Sequence, residues 1–194
     1  MKKPSLLLVL LVVFSLALSV TACGKSQEAT GPNVKLLVSD ENNAIRDFDH
    51  LYINISSIGM YRMENTSNES GTWCEFTPNV TQVDLRLLEG DNASTIWSGN
   101  LTAGNYTKVF IYVDRAWGIL SGKNASDTVE VKIPSNKLQI SKPFTVSNAS
   151  LTAFVYDVTV ISTGNNQSGV DYNIEPQIAK SGSDQPYVEV KTKD

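Results

Sequence analysis

Hard oxygen donors crowd one short stretch of this chain: Asp40, Glu41, Asn42, Asn43, Asp47 and Asp49 fall within ten residues. Calcium is held by about six to eight such oxygens, so Asp40, Asp47 and Asp49 are candidate ligands for an optional calcium ion. The spacing departs from the EF-hand loop, which would need a glycine at the turn and a bidentate glutamate where Leu51 stands. Turn carboxylates on a solvated loop are the competing reading. Glycoside hydrolysis would need two carboxylates about 5–10 Å apart. Asp84, Asp114, Asp157 and Glu175 lie in or beside apolar runs, and sequence leaves open whether any two converge. Sugar recognition relies on exposed aromatic rings. Trp73, Trp97 and Trp117 are the candidates; Trp97 and Trp117, each beside a turn or strand end, are the expected contact residues, with core packing as the alternative. Histidine catalysis is not expected, because His50 is the single histidine and no GxSxG, HExxH or phosphate-binding glycine loop occurs.

Two modification signals say where such chemistry would take place. Lys2 and Lys3, an apolar run over residues 6–18, and Val20, Thr21 and Ala22 ahead of Cys23 describe a secretory signal with a lipobox. The expected products are a signal peptide, 1–22, and a diacylglycerol on Cys23, each buried methylene adding about 0.8 kcal/mol of membrane attachment. An uncleaved anchor is the rival, since residues 4–22 approach the roughly 17–25 residues that span a bilayer. Either way the remainder faces outside. There, 10 of the 16 asparagines open Asn-x-Ser/Thr: Asn54, Asn65, Asn68, Asn79, Asn92, Asn100, Asn105, Asn124, Asn148 and Asn166. With 36 Ser and Thr in 194 residues, unbiased composition would give about three such sites. Asn, Ser and Thr gather in turns for their backbone hydrogen bonds, but that is too weak to triple the count. N-glycosylation is therefore expected, and beside a lipobox it suits an archaeal cell-surface lipoprotein.

Charge and cysteine usage exclude other classes. Without Lys2 and Lys3, 14 basic side chains face 20 acidic ones, with no basic cluster. Nucleic acid is not an expected partner, because phosphate neutralisation needs clustered Lys and Arg. Cys23 and Cys74 are the only cysteines. A lipid on Cys23 leaves no disulfide framework and no cysteine metal site. Cys74, next to Trp73, reads as a small buried hydrophobe, with a disulfide-linked dimer as the alternative.

These groups must be positioned by strands. After a small, polar tether over 23–33, apolar and polar residues alternate with period two. Strands are expected over 35–39, 51–55, 59–63, 82–88, 109–113, 129–133, 138–140, 151–161 and 171–178, separated by turn formers. In residues 108–114 (KVFIYVD), Val109, Ile111 and Val113 face one way and Phe110 and Tyr112 the other, which predicts a central strand covered on both sides. The spacing predicts an all-β fold, a single antiparallel β-sandwich of immunoglobulin-like build over 34–179, following the signal helix. Residues 180–194 read as a tail, with a short edge strand over 187–190 as the alternative to disorder.

Several segments together resemble the exported prokaryotic family known as domain of unknown function 4382. They are LLVSD (36–40), VDLRLL (83–88), LTAGNYTKVFIYV (101–113), Pro134-Ser135 ahead of KLQISKPFTV (137–146), FVYDVTV (154–160) and YNIEPQI (172–178). The resemblance spans about residues 34–179. It implies a lipoprotein-type β-sandwich, similar in build to carbohydrate-binding or transthyretin-like folds, and no assigned activity. Where that family's closing region often carries two aspartates, this chain has Asp157 alone.

The function expected is a membrane-anchored surface lipoprotein, non-catalytic, acting as a binding or structural module with carbohydrate among its ligands. Its partners would be the membrane, through the lipid, and envelope polysaccharide or a surface protein. A small carbohydrate-active hydrolase and an assembly subunit of a surface complex are the alternatives.

Overall fold

A computed structural model describes residues 31–64, 70–165 and 169–191. Cys23 with the signal peptide, the tether before residue 31, the sequons Asn65, Asn68 and Asn166, and residues 192–194 lie outside the described residues.

The fold is all-β, built as two packed sheets. One contains β1 (Val34–Glu41), β5 (Asn92–Gly99), β10 (Thr152–Asn165), β11 (Gly169–Pro176) and β12 (Val188–Glu189), in the order β11-β10-β1-β5-β12. The other contains β2 (Phe48–Met63), β3 (Gly71–Phe76), β4 (Gln82–Asp84), β6 (Gly104–Leu120), β7 (Thr128–Glu130), β8 (Lys137–Ile140) and β9 (Phe144–Val146). Its order is β3-β2-β6-β7, with β4 also on β2 and with β8 and β9 on β6. Leu36, Val38, Leu51, Ile53, Ile58, Val109, Ile111, Phe154 and Val158 are buried in the single core between the sheets. Pairing is antiparallel, as expected, apart from β1–β10 and β12–β5, which are parallel. Parallel neighbours need a long crossover, and here the chain from β2 to β9 lies between β1 and β10.

The second sheet rests on β2 and β6. The segments expected as two strands, 51–55 and 59–63, are one strand with a bulge. Leu51, Ile53 and Ile55 face the core before it, and Ile58 and Met60 after it. One extra residue thus switches the parity and keeps both sets inside. Strand β6 matches it: Val109, Ile111 and Val113 point inward, then Ala116 and Gly118. The outward residues Phe110 and Tyr112 are half-buried rather than covered by another layer. Neighbouring side chains shield Phe110 instead, with the Trp73 ring edge-on at 4.8 Å and Lys137 Nζ 4.8 Å from the ring centroid.

The first sheet is covered on both faces, because the expected tail packs on it. After β11, Gln177 N–H donates to the Asp157 carbonyl, and Val155 and Gly182 exchange a pair of backbone hydrogen bonds on the free edge of β10. The chain must then reach β12, on the opposite edge beside β5. The inner face is occupied by the core, so residues 183–187 cross the outer one as a strap. Five residues span about 17 Å, matching the three or four strand spacings to be crossed. Beneath the strap Leu37, Ala93 and Val155 form a small apolar patch, buried yet separate from the main core. Truncation after Gln177 is expected to lower stability by on the order of 3 kcal/mol, from uncovering this patch. Hydrogen exchange in the shortened chain should show the amides of Val155 and Asp157 losing protection before the rest of β10.

Candidate functional site

The ladder between β1 and β10 sets Ser39 beside Asp157 on the outer face, under the strap. Ser39 Oγ donates to Asp157 Oδ1 at 2.5 Å, and the Asp157 N–H donates to Ser181 Oγ at 2.9 Å. Ser181 is itself completely buried, so the turn leading into the strap clamps the aspartate from its backbone side. Asp157 is 4% exposed, and its Oδ2 makes no hydrogen bond within the protein. A pocket of about 260 Å³ opens here, walled by Ser39, Glu41 and Asp157 from the sheet, Gly90 and Asp91 from the turn before β5, Lys180 from the turn after β11, and Gln185 and Pro186 from the strap. Gly90 adopts φ +75°, a left-handed conformation that favours glycine, and its N–H donates to the Asp40 carbonyl at the pocket rim. Burial raises the Asp157 carboxyl to about 6; Ser39 opposes that shift, Glu41 adds to it and Lys180 again opposes it.

Asp40, one residue along from Ser39, points the other way. Its partner on β10 is Val158, and it is 0% exposed, with neither carboxyl oxygen hydrogen-bonded inside the protein. Burial, reinforced by the negative charges of Asp157, Glu89 and Glu41, pushes its carboxyl up to about 9. Asp40 is thus neutral at pH 7. The cation whose charge acts on it, Arg86, is committed to Glu89 and to the Phe48 carbonyl.

The three expected calcium ligands do not come together. Asp40 is inside the sandwich, Asp47 accepts from the Tyr172 hydroxyl at 3.0 Å, and Asp49 accepts from Ser121 Oγ at 2.8 Å. Among the described residues no group of three His, Cys, Asp or Glu side chains could hold a metal ion. The residues 40–49 leave β1, make a 3-10 turn (Ala44–Asp47) and enter β2, which fans their side chains apart. Of the four candidate hydrolytic acids, Asp84 and Asp114 are on the second sheet, while Asp157 and Glu175 share the outer face of the first. Asp84 binds His50 Nδ1 at 2.7 Å and caps the 3-10 turn after β4 through the Arg86 N–H. Asp114 lines a different pocket from Asp157, beside Glu130 and Lys132, and Glu175 is on β11 opposite Thr159.

Of the expected contact tryptophans, Trp97 is corrected to a core residue. It is 7% exposed and packs against Phe76 at 4.7 Å, because the bulge between Leu36 and Leu37 turns it inward beside Leu36. Trp117 is half-buried on the outer face of the second sheet, stacked between Tyr52 at 5.5 Å and the Arg115 guanidinium at 4.8 Å. His50 continues that row over Tyr52 at 5.7 Å. A second cluster on the same face holds Trp73, 38% exposed, with Phe110 and Tyr112. The Trp73 ring lies flat over Gly59, where any Cβ would collide with it. That glycine and the i, i+2 spacing of Phe110 and Tyr112 were the available sequence signals for this cluster. The described sequons Asn79, Asn100, Asn105, Asn124 and Asn148 are exposed, and Asn54 and Asn92 are half-exposed.

Asp40 dictates a pH dependence. A carboxyl whose folded pKa lies near 9 instead of 3.8 keeps a proton that the unfolded chain releases between those values. Stability is therefore fully expressed below about pH 4 and falls as pH rises towards 9, by about tenfold in the folding constant per pH unit for one proton. Asp157 adds a slope of the same sign up to about pH 6. Asp40→Asn should flatten the curve between pH 6 and 9, read by urea unfolding. An unchanged slope would mean that Asp40 is ionised in the folded protein.

Nothing among curated proteins or solved structures matches this chain. The family model described as domain of unknown function (DUF4382) matches residues 32–176, from the start of β1 to the end of β11, and the chain belongs to that family.

Proposed function

We propose that this protein is a lipid-anchored, glycosylated cell-surface module, non-catalytic, that binds envelope polysaccharide through the outer face of its second sheet. The observation that supports this is the pair of aromatic clusters on one open face: Trp73 with Phe110 and Tyr112, and Trp117 with Tyr52. Along β2 they are separated by the seven steps from Tyr52 to Gly59, about 23 Å at strand spacing. A face of that length suits a polymer better than a monosaccharide. Each ring offers an apolar plane for a sugar, and Lys108, Lys137, Arg115 and Glu130 beside the rings offer donors and acceptors for hydroxyls.

Glycosylation would sit compatibly on the fold. Asn79, Asn100 and Asn105 use their Oδ1 atoms as acceptors, from Ser98 N–H, Asn33 N–H and Thr145 Oγ1, which keeps Nδ2 for a glycan. Asn92 and Asn124 instead donate through Nδ2, to the Leu87 carbonyl and to Asp127. Intact-mass and peptide mapping of the natively expressed chain should find glycan on Asn79, Asn100 and Asn105 ahead of Asn92 and Asn124. A bare polypeptide mass would remove the glycoprotein part of the reading.

The binding test is retention of the detergent-extracted full-length protein on immobilised envelope polysaccharides. Trp73→Ala and Trp117→Ala should each weaken retention by roughly tenfold, the loss of one stacked ring. Gly59→Ala, which displaces the Trp73 ring, should behave like Trp73→Ala. Trp97→Ala should lower thermal stability instead, as a core truncation. Asn54 shares the aromatic face, so Asn54→Gln is included to clear a glycan that would compete for the rings. Unchanged retention in the Trp73→Ala, Trp117→Ala double variant sinks the proposal.

A further inference from the structure

The geometry points to a second site, and we propose that the pocket beneath the strap binds a primary ammonium group on a short apolar stem, as a lysine side chain or a small alkylamine presents. Three carboxylates, Glu41, Asp91 and Asp157, line this pocket against one lysine, Lys180. Acidic residues alone would describe a solvated rim. Here one of them, Asp157, is buried to 4% exposure with Oδ2 unpartnered, and an unpaired buried carboxylate is costly unless a donor reaches it. An ammonium carries three donors and a charge. Asp157, with Glu41 or Asp91 and the side-chain oxygen of Gln185, stands at the walls to accept them. Val155 and Pro186 supply apolar surface for the stem. At about 260 Å³ the space is below the roughly 300–1,000 Å³ of sites for drug-sized ligands, so it suits one small group and not a polymer. A bare divalent ion fits poorly, because no three acidic side chains among the described residues are close enough to share it. This pocket is on the first sheet, and it stands whether or not the aromatic face of the second binds sugar.

The test is calorimetric titration of the full-length protein in detergent with n-butylammonium chloride, tetramethylammonium chloride and calcium chloride. Saturable n-butylammonium binding is expected, with tetramethylammonium, which has no N–H donor, at least about tenfold weaker. Asp157→Asn should weaken n-butylammonium by about tenfold or more. Glu41→Gln, on a partly exposed side chain, should weaken it by about threefold and guards against a folding defect in the first variant. Asp114→Asn, in the other pocket, should leave it unchanged. Nα-acetyl-lysine amide then separates the two sources of the same chemistry: tighter binding than n-butylammonium assigns a protein side chain, weaker binding a free amine. Absence of saturable n-butylammonium binding, equal binding of tetramethylammonium, or binding unaltered by both Asp157→Asn and Glu41→Gln overturns the proposal.

Discussion

The parallel ladder between β1 and β10 is the contact on which the rest of the molecule depends. It joins residues more than a hundred positions apart and fixes Val38 against Tyr156, Ser39 against Asp157, and Asp40 against Val158. Side chains alternate across a strand, so a slip of one residue would exchange the two faces. Phe154, Tyr156, Val158 and Val160 would leave the core, and Asp157 and Thr159 would enter it. The apolar burial of those four residues enforces the register. The outward aspartate under the strap and the inward one in the core both follow from it. A site on this ladder is therefore as rigid as the core that sets it.

The same ladder concentrates the protein's unpaired polarity. Among the described residues, the buried side-chain oxygens without a hydrogen bond in the protein belong to Asp40, Tyr156 and Asp157, within three steps of this register. Each such group costs about 1–3 kcal/mol. Two solutions coexist. Asp40 is neutralised by its proton; Tyr156 likewise stays protonated because burial drives its phenol far upward. Asp157 accepts from a hydroxyl and lines the pocket, so its proton is held far less tightly than that of Asp40. The contrast between two aspartates one strand apart comes from which face of the sheet each was given.

Much of this was legible in the residues, and the gaps have physical reasons. Alternation in KVFIYVD grouped Val109, Ile111 and Val113 on one face, since period two is local, but left open which face is the inner one. It did not give the bulges that join 51–55 to 59–63, which depend on two strands switching parity together. Trp97 was misplaced for the same reason: a bulge beside Leu36 decides which way it points. The acidic run 40–49 looked like one site because its residues are adjacent in sequence, yet a strand end followed by a 3-10 turn spreads them over a core, an edge and a loop. Residues 180–191 look polar and tail-like, and their role appears only once Leu37, Ala93 and Val155 are seen to need a cover. The Ser39–Asp157 pair spans 118 positions, and pairings at that separation leave no local pattern.

The fold also has a polarity along β1. Asn33, where the chain enters the sandwich, is held by hydrogen bonds to Asn100 and Leu101, and its carbonyl accepts from the Thr152 N–H. Asn79 and Asn105 join the same end through Ser98 and Thr145, and Asn148 precedes β10 there. The pocket is at the other end of β1, about seven strand steps or 23 Å away. If Cys23 carries the anchor, the ten residues 24–33 reach at most about 33–36 Å from the membrane. Sugars on Asn79, Asn100, Asn105 and Asn148, were they attached, would then fill the space between membrane and domain. The pocket would project outward, clear of them, and the aromatic face would run along the side between the two. With the anchor at that end of β1, Asp40 and Asp157 would lie at the end farthest from it.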